Sequence, residues 1–259
     1  MFSNIFASIL EENGQTEFLV YEKEFEALFI TLTETNKLFN LTAVTDEKGV
    51  SALHFADSLM AVPYLKEILG EEICTANDAK TRVSHKNASK TLLDVGCGAG
   101  FPSLPISIVC PNLGVTGLDS TAKKVEFSKK FALENGITNF SSVSMRAEEG
   151  GNSTQMREKF DVVTARAVSR LNVLAEITLP FVKNGGYFLA MKGSKGTEEL
   201  EEAKKCIEIL GGKVIKTEEK ELKIDGETQK RTMILIKKVR NTERKYPRAY
   251  AKIVKSPLK

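Results

Sequence analysis

Leu92-Leu93-Asp94-Val95-Gly96-Cys97-Gly98-Ala99-Gly100-Phe101-Pro102 is an apolar run that breaks into a glycine-rich turn and then meets a proline. Proline is pre-set for the first turn of a helix, so the stretch reads as strand, loop and helix start. Glycines in the loop permit positive φ and let a ligand lie directly against backbone. Such a loop also serves nicotinamide dinucleotides, phosphates, or no ligand at all. The flanking acids narrow the choice. Asp94 stands at the end of the strand, just before the first glycine, where a carboxylate repels a pyrophosphate and attracts an ammonium group. Asp119 closes the next apolar run and is placed to accept hydrogen bonds from ribose hydroxyls. Either acid could cap a helix instead, but their joint position at strand ends around the loop favours ligand binding. The methionine ammonium and the ribose of S-adenosylmethionine fit this pair.

Downstream, short β-like runs alternate with helical stretches: Thr91 to Val95, Val115 to Leu118, Phe140 to Met145, Asp161 to Ala165 and Tyr187 to Met191. That alternation predicts an α/β fold, a parallel sheet with helices on both faces. Gly136 and the pair Gly211-Gly212 end two crossover helices. Lys213 to Ile224 and Arg231 to Val239 flank an Asp225-Gly226 turn signal and predict a closing antiparallel hairpin. Upstream, residues 1–69 carry helical patterns: Phe2, Ile5, Phe6, Ile9 and Leu10 share a face, as do Tyr21, Phe25, Leu28, Phe29 and Leu32, and Leu53, Ala56 and Met60. Residues 70–90 are polar and aperiodic and read as a linker or loop. The expected organisation is thus a helical appendage over 1–69, a linker over 70–90, a core over 91–239 and a basic tail over 240–259.

With 259 residues, 42% hydrophobic and 27% charged, the chain can bury a substantial core. No apolar run reaches the roughly 18 residues of a membrane span, and Met1 to Leu10 lacks a cationic leader and a cleavage site. A cytoplasmic, membrane-free monomer is expected. Cys74, Cys97, Cys110 and Cys206 show no CxxC spacing, and His54 and His85 are the two histidines, so no metal site is expected and the thiols are expected to be free. The net charge is +3, yet from Lys237 onward Lys237, Lys238, Arg240, Arg244, Lys245, Arg248, Lys252, Lys255 and Lys259 stand against Glu243 alone. A cationic tail on a mildly acidic body suits a nucleic-acid partner, although basic tails are often only solvated. Pro247 and Pro257 argue against a continuing helix there, so the tail reads as a flexible arm.

Two further stretches are placed near the glycine loop by order along the chain. Arg146-Ala147-Glu148-Glu149 follows the third strand, beside the position of an adenine base, or is simply a solvated acidic turn. Leu179 to Gly186 resembles the helix-to-strand turn of many methyltransferases and carries no chemistry.

Asp94 to Pro105, Leu118-Asp119-Ser120, Arg146 to Glu149, Ala165-Arg166-Ala167, Met191-Lys192-Gly193 and Arg244-Lys245-Tyr246-Pro247-Arg248 together resemble the family called glucose-inhibited division protein B, or RsmG. Asn40-Leu41-Thr42 and His54-Phe55-Ala56-Asp57-Ser58 match its pattern too, so the resemblance spans nearly the whole chain. It implies a Rossmann-like class I methyltransferase sheet and transfer of a methyl group from S-adenosylmethionine to N7 of a guanine in 16S ribosomal RNA, in the small subunit or an assembly intermediate. It implies that Gly96 and Phe101 contact the methionine and ribose side, Ala147 and Glu148 the adenosine, and Arg166 the same pocket. Gly98 and Ser120 join this set from the loop and from the turn after Asp119. Lys192 resembles a basic residue that faces RNA, with Arg244, Lys245, Tyr246 and Arg248 as further RNA contacts, Tyr246 by stacking on a base. Arg166 and Lys192 are the candidates for a role in turnover. Two departures stand out: the 70–90 stretch is longer than the family's usual link, and the end reads AYAKIVKSPLK where many relatives carry glycine and another proline.

Guanine N7 carries a lone pair and no proton, so its methylation needs alignment more than a general base. The sequence accords with this. The fourth strand ends Thr164-Ala165-Arg166, without the Asn/Asp-Pro-Pro-aromatic motif of amino-group methyltransferases, and Cys110-Pro111 reverses the Pro-Cys order of many cytosine-C5 enzymes. The competing readings are a nicotinamide dehydrogenase, which Asp94 disfavours, a catalytically silent RNA-binding or assembly factor, and a methyltransferase of another substrate.

Overall fold

In the computed structural model, which describes residues 2–74 and 82–258, seven strands form one sheet in the order β3-β2-β1-β4-β5-β7-β6. Residues 75–81, within the stretch expected to be a linker, lie outside the described residues. The strands β1 (Lys90–Val95), β2 (Leu113–Asp119), β3 (Phe140–Ser144), β4 (Phe160–Arg166) and β5 (Val182–Lys192) run parallel. The last two, β6 (Gly212–Ile224) and β7 (Glu227–Lys238), form the expected hairpin, and β7 inserts antiparallel beside β5. Asp225 and Gly226 both have positive φ, 53° and 76°, the backbone that a two-residue hairpin turn requires. Strand order reverses between β1 and β4, so the glycine loop after β1 opens at the switch point where such sheets bind ligands.

The helical N-terminus consists of α1 (Phe2–Glu12), α2 (Glu22–Asn36), a rod from α3 (Glu47–Gly49) through a π-helical segment (Val50–Ala56) to α4 (Asp57–Leu59), and α5 (Val62–Leu69). Between the strands lie α6 (Ser103–Val109), α7 (Ala122–Glu134), α8 (Ala147–Asn152), α9 (Leu171–Thr178) and α10 (Gly196–Ile209). Neighbouring residues of a strand point to opposite faces. Leu92 and Val162 therefore join one core with α6, α7 and the N-terminal helices, while Leu93 and Val163 join another with α9 and α10. The expected apolar faces of α1 and α2 supply the first core: Phe2, Phe6, Ile9, Leu10, Phe25, Leu28 and Leu32 are buried. Ring contacts run from Phe6 to Phe25 (5.0 Å), Phe25 to Phe55 (5.0 Å) and Phe55 to Phe101 (6.1 Å), carrying the packing from α1 to the glycine loop. Asn13 also exchanges two hydrogen bonds with the backbone of Lys223, joining the end of α1 to the hairpin. The helices thus form a cap whose core is continuous with the sheet's.

Two expectations are corrected. Cys74 and Cys110 are not free thiols: they form a disulfide, while Cys97 and Cys206 are free and buried. The turn Glu71–Cys74 packs on the end of α6, where the Asn112 side chain donates to the Glu72 carbonyl and its backbone N–H to that of Ile73, and this brings the two sulfurs together. The tail, in turn, is no free arm. Arg157 donates to the carbonyls of Gly151, Thr242, Glu243 and Tyr246. Arg248 grips both oxygens of the fully buried Glu176, at 2.8 and 2.6 Å. Beyond it α11 (Tyr250–Lys255) buries Ile253 against the second core. A net positive charge says nothing of burial; it is Tyr246, Pro247 and Ile253, together with Glu176, that dock the segment. No helix of the described residues is long and apolar enough to cross a membrane.

Arg248→Ala leaves the Glu176 carboxylate buried without its cationic partner, keeping only the backbone N–H of residue 248, so the variant is expected to lose about 3–5 kcal/mol of stability in urea titrations; a loss below about 1 kcal/mol would mean that the tail does not depend on this pair. The second expectation concerns His54, in the π-helical segment, which stacks on Phe101 at 4.6 Å and shares a 2.8 Å hydrogen bond with Thr42. Burial, and then the nearby Arg166 guanidinium, push its pKa down to about 4, so the imidazole is neutral at physiological pH. A folded pKa below the unfolded value makes the contribution complete above pH about 6.5 and loses it as pH falls toward 4. His85 titrates in the same sense and the buried Asp94 in the opposite one. The difference in melting temperature between the protein and its His54→Gln variant isolates the imidazole; it should shrink across that window, and a difference independent of pH would refute the assignment.

Candidate active site

Gly96, Gly98 and Gly100 all have positive φ, 77°, 56° and 101°, so the loop after β1 coils back over the sheet in a backbone that side chains strain. The N–H groups of Gly96 and Cys97 both donate to the Leu118 carbonyl of β2, tying the loop to the neighbouring strand. Room for this comes from Gly117, where a Cβ would stand 2.9 Å from the Cys97 sulfur. A Cβ on Gly96 would come within 2.5 Å of Val168, so this glycine is required by packing as well as by any ligand.

The two acids have different roles. Asp119 Oδ2 accepts from the Gly98 N–H at 3.0 Å and Oδ1 from that of Thr121 at 2.8 Å. The carboxylate is half-exposed at the strand end, held from both sides, with a lone pair remaining on each oxygen. Asp94 is wholly buried, and Oδ2 accepts from the Ser103 N–H that opens α6. The helix-capping alternative therefore describes Asp94, whose carboxyl burial pushes up to about 7 against the pull of the Ser103 side chain and backbone N–H. Its Oδ1 is a buried polar atom with no hydrogen-bond partner in the protein, so a polar group can still be received beneath the loop. Burial, and next the Asp94 charge, hold the Cys97 thiol well above its usual range, which makes it a poor nucleophile.

One crevice gathers most of the residues that sequence order placed near the loop. It is lined by Gly96, Leu118, Asp119, Ser120, Ala147 and Glu148, with Val168 and Tyr250 closing its sides. Phe101 does not line it, because its ring is turned onto His54. Arg166 faces a second cavity of about 340 Å3, shared with Asp57, Met191, Lys192, Arg231 and Met233. There Arg166 Nη1 meets Asp57 Oδ2 at 2.9 Å and Arg231 Nε meets Asp57 Oδ1 at 2.9 Å, so one carboxylate of the cap holds the end of β4 and the middle of β7. Lys192, expected to face RNA, is 8% exposed, its ammonium 2.8 Å from Glu199 and 2.6 Å from the Ser169 carbonyl. Of the expected RNA contacts in the tail, Arg244 and Lys245 are exposed, whereas Tyr246 is buried and Arg248 is taken up by Glu176. The stacking expected of Tyr246 is therefore corrected: its ring packs into the second core, and no face is free for a base.

Sequence reasoning assigned no role to Asp57, Val168, Arg231 or Tyr250. Asp57 sits in a matched stretch, but its partners lie more than a hundred residues away, and nothing local marks them.

Comparison with known proteins bears out the resemblance drawn from the motifs. Residues 77–231 match the family described as GidB, rRNA small subunit methyltransferase G. A protein named ribosomal RNA small subunit methyltransferase G from Lactobacillus helveticus is 43% identical over 227 residues, covering 88% of this chain and 87% of its own. One of the same name from Lactobacillus johnsonii is 41% identical over 254 residues and 98% of both chains. Among solved structures, a 16S rRNA (adenine(1408)-N(1))-methyltransferase from Catenulisporales acidiphilia superposes with a TM-score of 0.51 at 15% identity, over 61% of this chain and 91% of its own, a likeness of fold. Glycine loop, sheet order and sequence agree throughout, and the chain belongs to the GidB family of small-subunit ribosomal RNA methyltransferases.

Proposed function

We propose that the protein methylates N7 of a guanine in 16S ribosomal RNA, using S-adenosylmethionine held in the crevice between the glycine loop and α8. The observation that carries this reading is the Asp119 carboxylate, fixed by the Gly98 and Thr121 N–H groups at the strand end of a family methyltransferase, with acceptor capacity left for a ribose diol. Gly96, on the crevice wall, fits the methionine part, with Gly98 behind it in the loop and the unpartnered oxygen of the buried Asp94 beneath, and Ala147, Glu148 and Ser120 fit the nucleoside. Phe101 supports this pocket through the loop, held in place by His54. Bound there, the cofactor supplies a sulfonium methyl. Because guanine N7 carries a lone pair and no proton, accepting that methyl would require no general base from the chain. Its residues orient the base and exclude water.

In this reading residues 91–239 carry the cofactor site, the cap of residues 1–69 borders the neighbouring cavity through Asp57, and the 240–259 segment reaches the crevice through Tyr250. Arg244 and Lys245, exposed on that segment, meet phosphates. A cytoplasmic monomer acting on the small subunit or its assembly intermediate is consistent with the family.

Incubation with radiolabelled S-adenosylmethionine and unmodified small subunits, followed by mapping of the modified base, is expected to place the label on N7 of one guanine. Cofactor binding without transfer would instead favour an RNA-binding assembly factor. By calorimetry, Asp119→Ala should weaken S-adenosylmethionine binding about tenfold or more, the loss expected when charge-assisted hydrogen bonds are removed; unchanged affinity in the folded variant would move the nucleoside out of this crevice.

A further inference from the structure

The cavity beside the cofactor crevice has a construction that the cofactor does not explain. It is about 340 Å3, within the size range of small-ligand clefts, about 300–1,000 Å3. The turn after β4 contributes to both spaces: Arg166 and Ala167 line the cavity, and the next residue, Val168, lines the crevice. Ala167 has a φ of 55°, a backbone uncommon for a residue with a side chain, and it sends these neighbours to opposite sides. Met191 and Met233, 4% and 1% exposed, give an apolar floor that adapts to a flat ring. Opposite stand two guanidiniums on one carboxylate, Arg166 and Arg231 on Asp57. A guanidinium has five N–H donors. Arg231 directs Nε to Asp57, Nη1 to the Lys230 carbonyl and Nη2 to Gln229, the last two at 3.2 Å, so donor capacity is left over.

We propose that this cavity receives the target guanine, flipped out of the RNA, and that the guanidinium pair of Arg166 and Arg231, positioned by Asp57, recognises its O6. The proposal rests on the reading of the protein as a guanine-N7 methyltransferase. An enzyme that works on a base takes it out of the stack, so a purine-sized space beside the cofactor is needed. Methyl transfer to N7 requires the N7 lone pair to be unengaged, which leaves O6 as the acceptor on that edge; adenine carries an amino donor at the same place, which guanidiniums cannot bind. The methylated base is cationic. Arg166, Lys192 and Arg231 face Asp57 and Glu199 around the cavity, an excess of positive charge that favours release of the product.

Arg231 is the residue for the test, because removing it leaves Asp57 paired with Arg166 and orphans no charge. The full-length protein and its Arg231→Gln and Arg231→Lys variants are compared on unmodified small subunits and on subunits whose mapped guanine is replaced by adenine, with S-adenosylmethionine affinity and melting temperature measured alongside. Methylation of guanine subunits should fall about 10- to 100-fold in both variants, the discrimination expected of a well-placed arginine-to-guanine contact. Cofactor affinity should stay unchanged, and the selectivity for guanine over adenine should narrow. Wild-type rates in both variants, or equal losses with guanine and adenine, would overturn the assignment while leaving the N7 reading intact. Absence of transfer by the wild-type protein would overturn that reading and this inference together.

Discussion

A single carboxylate, Asp57, joins the three parts of the molecule that must meet for the site to exist. Its oxygens are shared between Arg166 at the end of β4 and Arg231 within β7, and its own backbone belongs to the cap. Removing charges from water is costly, and two cations on one anion recover that cost only with good geometry and additional acceptors. Leu53 supplies one through its carbonyl, and Lys230 and Gln229 supply others. The triad therefore registers the cap against the sheet in a way that apolar packing, which tolerates sliding, does not.

The apolar chain from Phe6 through Phe25 and Phe55 to Phe101 does complementary work. It supplies the burial that holds the cap down, and its last member is part of the glycine loop itself. His54, neutral because its surroundings disfavour charge, lies flat on Phe101 and hydrogen-bonds Thr42. Loop conformation and cap position are thereby one problem: the loop's glycines free the backbone, and the cap selects among the conformations that freedom permits.

The far end of the chain follows the same logic with the opposite appearance. A basic, proline-containing tail is docked because a fully buried glutamate and a ring of carbonyls await its arginine and receive Arg157. This places Tyr250 at the side of the cofactor crevice, so the last residues of the chain help enclose a site whose first elements lie far upstream.

The sequence by itself determined the fold class, the parallel strands and their closing hairpin, the glycine loop, and the position of Asp119 at a strand end beside it, while Gly96, Ser120, Ala147 and Glu148 entered through the motif resemblance and the structure sets them along one crevice. Those features are local: periodicity, turn chemistry, and residues set at strand ends whose order follows from the alternation of strand and helix. The motif resemblance carried the family as well. Only the tertiary structure decided which charges are free. Asp94 became a buried cap, Lys192 and Arg248 were taken up by Glu199 and Glu176, Cys74 and Cys110 were joined, and Asp57 drew together Arg166 and Arg231. The reason is physical: a side chain's electrostatic role depends on burial and on its nearest partners, and here those partners come from segments that no local pattern connects.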